Sequence, residues 1–125
     1  MAIKMKRAYD KPAASDGVRI LVDRLWPRGR KKEDLKIDQW IREVSPSSGL
    51  RQWFQHDPAK WPEFRRRFLR ELKCKAELVR ELAEQAGQRT VTLVFAAKDA
   101  EHCNAEVLKE VIENRLHRGA ARHED

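Results

Sequence analysis

Residues 23–29 read Asp-Arg-Leu-Trp-Pro-Arg-Gly, bringing a carboxylate, two guanidinium groups and an indole into one short loop. A carboxylate set among apolar residues is a natural proton donor or acceptor, because burial raises its pKa unless a cation or hydrogen-bond donor offsets it. Arg24 and Arg28 supply planar forks that match a carboxylate or a phosphate. Gly29 permits a tight corner, and Trp26, stiffened by Pro27, offers a flat apolar shelf. Asp23 is therefore the candidate acid-base group, and Arg24, Trp26, Arg28 and Gly29 are candidate binding residues for an anion. The competing reading is an ion-pair network that pins the loop to the fold.

A second polar cluster follows the most apolar stretch of the chain: Lys98-Asp99-Ala100-Glu101-His102-Cys103-Asn104. Lys98, Asp99 and Asn104 are its candidate ligand-binding residues, and Lys98 and Arg28 are the expected cationic partners of Asp23. A helix starting near Asn104 would add free N–H groups at the same place. Arg51 and Glu71 are each flanked by apolar helical residues. Arg51 is read as ligand-binding and Glu71 as a supporting residue, paired with each other or with Asp23. Cys103 beside His102 is not a catalytic arrangement, since adjacent helical residues point apart. Cys103 is read as a small buried residue, and His56 as part of a helix-capping turn. The histidines and carboxylates follow no metal-ligand spacing, so no metal site is expected. No particular cofactor is indicated.

Three segments read as strands able to carry these loops. Residues 2–9 alternate Ile3 and Met5 with Lys4 and Lys6, as on an edge strand with one wet face. Residues 18–25 are apolar through Ile20, Leu21 and Val22, and residues 91–97 carry no charge, as in strands covered on both faces. Helices are expected over 34–44, 49–54 after a Ser47/Ser48 cap, 57–86 and 105–116. In the long one, Phe64, Phe68, Leu72, Val79, Leu82 and Ala86 form a single stripe. Pro62 argues for a bend near its start, or a start at 62. Asn104 is the expected cap of the last helix.

Strands separated by helices predict an α/β fold, a small three-layer sandwich with a mostly parallel short sheet flanked by helices. The second and third strands should be parallel. The link between the first two is too short to fix their relative direction. Residues 1–116 read as a single domain, and 117–125 as a frayed tail without an apolar stripe. In such sheets ligands bind beyond the carboxyl ends of the strands, where both polar loops would meet.

The chain has 125 residues, 41% hydrophobic and 38% charged, with a formal net charge of +7 concentrated in residues 1–36. That excess favours anionic partners, either a small metabolite or nucleic acid. The run Arg65, Arg66, Arg67 and Arg70 is the strongest argument for nucleic acid, but no helix-turn-helix layout accompanies it. No apolar run approaches the length that spans a bilayer, and no leader pattern opens the chain, so a cytoplasmic protein without membrane partners is expected. Nothing indicates the oligomeric state.

Three blocks, VRILVDRLWPRG, SPSSGLRQWFQHDPAKWPEFRRRFLREL and VTLVFAAKDAEHCNAEVL, resemble the successive signature segments of the YeaO-like family of bacterial proteins, a domain of unknown function. The resemblance covers roughly residues 2–116. It implies an α/β domain whose characteristic polar positions match Asp23, Arg24, Arg28, Arg51, Glu71 and Lys98. It departs at Cys103, where such sequences carry Asn. The resulting expectation is a domain binding an anionic or phosphorylated small molecule at the strand ends, with catalysis left open. The alternatives are a nucleic-acid-associated protein and a non-catalytic interaction module.

Overall fold

The computed structural model describes the backbone of residues 2–124 and the side chains of residues 2–118. Four parallel strands, β1 (Ala2–Arg7), β2 (Val18–Leu21), β3 (Gln39–Trp40) and β4 (Thr90–Phe95), lie in the order β1-β4-β2-β3. The least polar strand, β4, is therefore central, pairing Ile3 with Val91 on one side and Val18 with Val91 on the other. β1 lies at an edge, as its alternation predicts. The short link after it is a compressed crossover that passes beyond β4. A single turn of 3-10 helix, Ala14–Asp16, is all the secondary structure it contains. Gly17, at φ +65°, closes this crossover against β4: a Cβ there would lie 2.2 Å from the Thr90 carbonyl oxygen.

The two faces are filled by different chemistry. Ile3, Ile20, Val22, Val91, Leu93 and Phe95 face the main helical layer, built from α2 (Ser48–Phe54), α3 (Trp61–Lys73), α4 (Ala76–Gln88) and α5 (Asn104–Glu124). Phe68, Leu82 and Ile112 meet them there and are fully buried. The opposite face is thinner. Leu21 and Val94 are covered by Leu35 of the four-residue helix α1 (Lys32–Leu35) and by Trp26, Ile37 and Trp40. Its remainder is a buried ionic cluster, in which Asp16 accepts from Arg19 at 2.7 Å and from Lys6 at 3.0 Å. Thr92 donates to the Asp16 carbonyl beside it.

Several expected boundaries are corrected. No helix runs over 34–44. The chain turns through left-handed Lys36 (φ 49°), and Asp38 then accepts from the Arg19 amide. Gln39–Trp40 pairs with β2, and a 3-10 turn follows over Arg42–Val44. Open backbone donors and acceptors on β2 outweigh the helical spacing of the apolar residues there. The helix expected over 57–86 is three pieces: a 3-10 turn Pro58–Lys60 capped by Asp57, then α3, then α4 after a break at Cys74–Lys75. Strand β2 ends at Leu21, so residues 23–25 already belong to the loop. The last helix, expected over 105–116 with a frayed tail after it, continues as helical backbone to Glu124. Among the described residues no helix is long and apolar enough to cross a membrane.

Candidate functional site

A cavity of about 490 Å³ opens at the carboxyl ends of β2 and β4. The loop after β2 gives one wall, with Asp23, Arg24, Trp26 and Arg28. The end of β4 and the start of α5 give another, with Ala96, Ala97, Cys103 and Asn104. The segment leading into and along α2 contributes Pro46 and Arg51, α3 contributes Phe64, and Tyr9 closes one side. The two strands are adjacent, which is why loops distant in sequence share this space.

Asp23 links the elements. Its Oδ2 accepts from the Ala96 amide at 2.9 Å and its Oδ1 from Asn104 Nδ2 at 3.2 Å. Asn104 also donates to the Val22 carbonyl, tying α5 to the end of β2. Burial pushes the Asp23 carboxyl above the usual aspartate value, opposed by those two donors and by the positive field of Arg51 and His56. Neither Arg28 nor Lys98 is within ion-pair distance of it, contrary to expectation: Arg28 is exposed, and Lys98 is exposed away from the cavity wall.

Among the described residues only Arg19, Arg65, Arg66, Arg67 and Arg80 form ion pairs, and the cavity arginines belong to the larger unpaired set. Arg24 is half-buried, and its Nε is buried with no hydrogen-bond partner. Among the described residues Arg24, Arg28 and Arg51 form no ion pair. By contrast Arg66 and Arg67 both bind Glu63, whose carboxyl they push down to about 2, and Arg65 binds Glu110. Two carboxylates, Glu63 and Glu110, thus offset half of the charge of Arg65, Arg66, Arg67 and Arg70.

The loop bearing Arg28 is pinned by aromatic tips. Trp26 Nε1 donates to the Arg30 carbonyl at 2.7 Å, and the Tyr9 hydroxyl to the Arg28 carbonyl at 3.2 Å. Trp40 meets Trp26 edge-on at 5.4 Å and donates to the Asp23 carbonyl. Gly29 adopts φ +78°, a conformation that glycine takes without strain, but it shapes the corner rather than lining the cavity. Glu71 pairs neither with Arg51 nor with Asp23. It accepts from the Ser47 amide at 2.8 Å and hydroxyl at 2.6 Å, supporting the cap of the helix that carries Arg51.

Asp99 also stands outside the wall. It binds His102 Nδ1 at 2.7 Å, and that hydrogen bond holds its carboxyl below the usual value. Burial, the leading cause, pushes the Cys103 thiol up to about 11, so its thiolate is not accessible near neutral pH. Among the described residues no group of His, Cys, Asp or Glu is arranged to hold a metal. Sequence reasoning missed Tyr9, Pro46 and Phe64 as wall residues, and placed His56 in a capping turn although it lines the cavity mouth. Nothing in their own sequence neighbourhoods distinguishes them, because chain folding alone brings them together.

The family model described as the inactive DUF488-N3 subclade matches residues 2–125. The chain belongs to this family. It is 44% identical over 108 residues to the uncharacterized protein YeaO of Escherichia coli, covering 86% of this chain and 94% of that one. It is 36% identical over 113 residues to the uncharacterized proteins Mb3100c of Mycobacterium bovis and Rv3073c of Mycobacterium tuberculosis, covering 90% of this chain and 95% of each. This YeaO-like membership agrees with the resemblance carried by the three sequence blocks. No solved structure matches the chain.

Proposed function

We propose that this YeaO-like chain is a small-molecule binding protein whose cavity holds an anion without converting it. The carrying observation is the Arg24 guanidinium, half-buried at the wall with its Nε unpartnered, flanked by Arg28 and Arg51 that form no ion pair among the described residues. The guanidinium of Arg24 meets no carboxylate among the described residues, so an anion in the cavity would supply its missing counter-charge. Two features favour binding over catalysis. Both oxygens of Asp23 are engaged in holding Ala96 and Asn104, which suits a clamp better than a proton shuttle. The family description itself is that of an inactive subclade.

The test is thermal unfolding of wild type and Arg24→Met at physiological salt, with a panel of small anions and a short DNA duplex. An anion at about 100 times its dissociation constant adds about 2.7 kcal/mol and raises Tm by several degrees. Arg24→Met keeps the apolar stem and should lose that shift. If no small anion stabilises the wild type, or Arg24→Met responds equally, the cavity is not the anion site.

A further inference from the structure

We infer that the cavity is built for a flat apolar body joined to a phosphomonoester, rather than for a bare inorganic anion. This rests on the anion-site reading above and adds the ligand class. At about 490 Å³ the cavity falls within the range that encloses metabolite-sized ligands, well beyond what one phosphate fills.

The wall pairs aromatic surface with charge. Trp26 contributes half-buried aromatic surface, and its surroundings hold it rigidly. Trp26 has spent its polar tip on the Arg30 carbonyl, so it offers apolar ring rather than another hydrogen bond, whereas the Arg7 and Arg30 guanidiniums already lie over the Tyr9 ring. Phe64, 2% exposed and stacked against Phe54 at 4.2 Å and Trp61 at 5.4 Å, backs the cavity without offering it a ring face. Pre-positioned rings bind a flat body without losing rotamer freedom.

Three arginines face one carboxylate, Asp23, at this wall. The surplus of about two positive charges matches a phosphomonoester near neutral pH, which carries about −1.5 to −2, better than a carboxylate. Guanidinium forks also match phosphate oxygens in pairs. Arg24 and Arg51, both half-buried, would take the head group, and exposed Arg28 would close over it from the mouth.

Phenyl phosphate, inorganic phosphate, benzoate and phenol serve as probes in isothermal titration of the full chain at pH 7.5. Phenyl phosphate should bind at least tenfold more tightly than inorganic phosphate or benzoate, and phenol should not bind measurably. Trp26→Ala should weaken phenyl phosphate by more than it weakens inorganic phosphate, since both feel the loosened Arg28 loop but only phenyl phosphate loses the ring. Trp26→Phe should recover most of the difference. Equal affinity for phenyl phosphate and inorganic phosphate would overturn the aromatic-body inference and leave the anion site standing. Equal affinity for benzoate would overturn the phosphomonoester head group. Silence from all four probes would overturn both readings.

Discussion

Replacing Asp16 with Asn tests the thin face of the sheet, on which the short crossover depends. Asp16 is 4% exposed and accepts from Arg19 at 2.7 Å, Lys6 at 3.0 Å and the Ala13 amide at 3.0 Å. Arg19 is as deeply buried, and its Nη2 already lacks a partner. An Asn keeps one acceptor oxygen and turns an amide toward the remaining donors, leaving the Arg19 charge uncompensated. Breaking a buried pair from one side costs about 3–5 kcal/mol, a large share of the roughly 5–15 kcal/mol that stabilises a domain. For a chain of this length that is a fall in Tm of roughly 10–25 °C. Burial pushes the Asp16 carboxyl up, but the Ala13 amide, Lys6 and Arg19 outweigh it and bring it below its ordinary value of 3.8. A depressed carboxyl stabilises the fold above its unfolded pKa and loses that contribution as pH falls through the folded value. The difference between wild type and Asp16→Asn in urea unfolding should therefore be full at pH 7 and shrink below about pH 4. A penalty below about 1 kcal/mol at pH 7, or one that grows on acidification, would refute the reasoning.

Asp23→Asn should show the opposite pH trend. Burial raises the Asp23 carboxyl, so its contribution is greatest below the ordinary value and declines as pH rises through the folded one. The variant should gain stability relative to wild type between pH 4 and 7, read from urea midpoints. Gly17→Ala should cost at least about 3 kcal/mol, because the added Cβ meets a backbone oxygen of the central strand at a positive φ. A thermal shift under 5 °C would contradict that clash. In native protein at pH 7.5 a thiol reagent should modify exposed Cys74 quickly and buried Cys103 only on unfolding, giving one fast thiol equivalent followed by a second.

The proposed binding role gives the Asp23 carboxylate and the cavity arginines separate tasks. Asp23 joins β2, β4 and α5, which places the loop carrying Arg24, Trp26 and Arg28. Glu71 does the equivalent for α2 through Ser47, and α2 carries Arg51. Neither carboxylate pairs with a cavity arginine, so the positive field there is left for a ligand.

The apolar runs around Ile20–Val22 and Val91–Phe95 determined by themselves that the chain has buried strands, and the helices between them made those strands parallel. The polar stretch after the first run lines the cavity, whereas of the second only Cys103 and Asn104 reach it. Short-range chemistry was legible too: Ser47 caps α2 and Asp57 caps the turn before α3. What depends on contacts across the fold was not. Residues 34–44 carry helical spacing, yet the open edge of β2 draws Gln39–Trp40 into the sheet. The stripe over 57–86 is continuous in sequence although the backbone breaks at Cys74–Lys75, because α3 and α4 both bury that stripe against the same core. Charge pairing was the least legible. Arg24, Arg28 and Arg51 look no different in sequence from Arg65–Arg67, and only the fold decides which arginines meet carboxylates and which face a cavity. A side chain's partner is set by where distant segments come together, whereas its tendency to be buried in a strand or helix is set by its immediate neighbours.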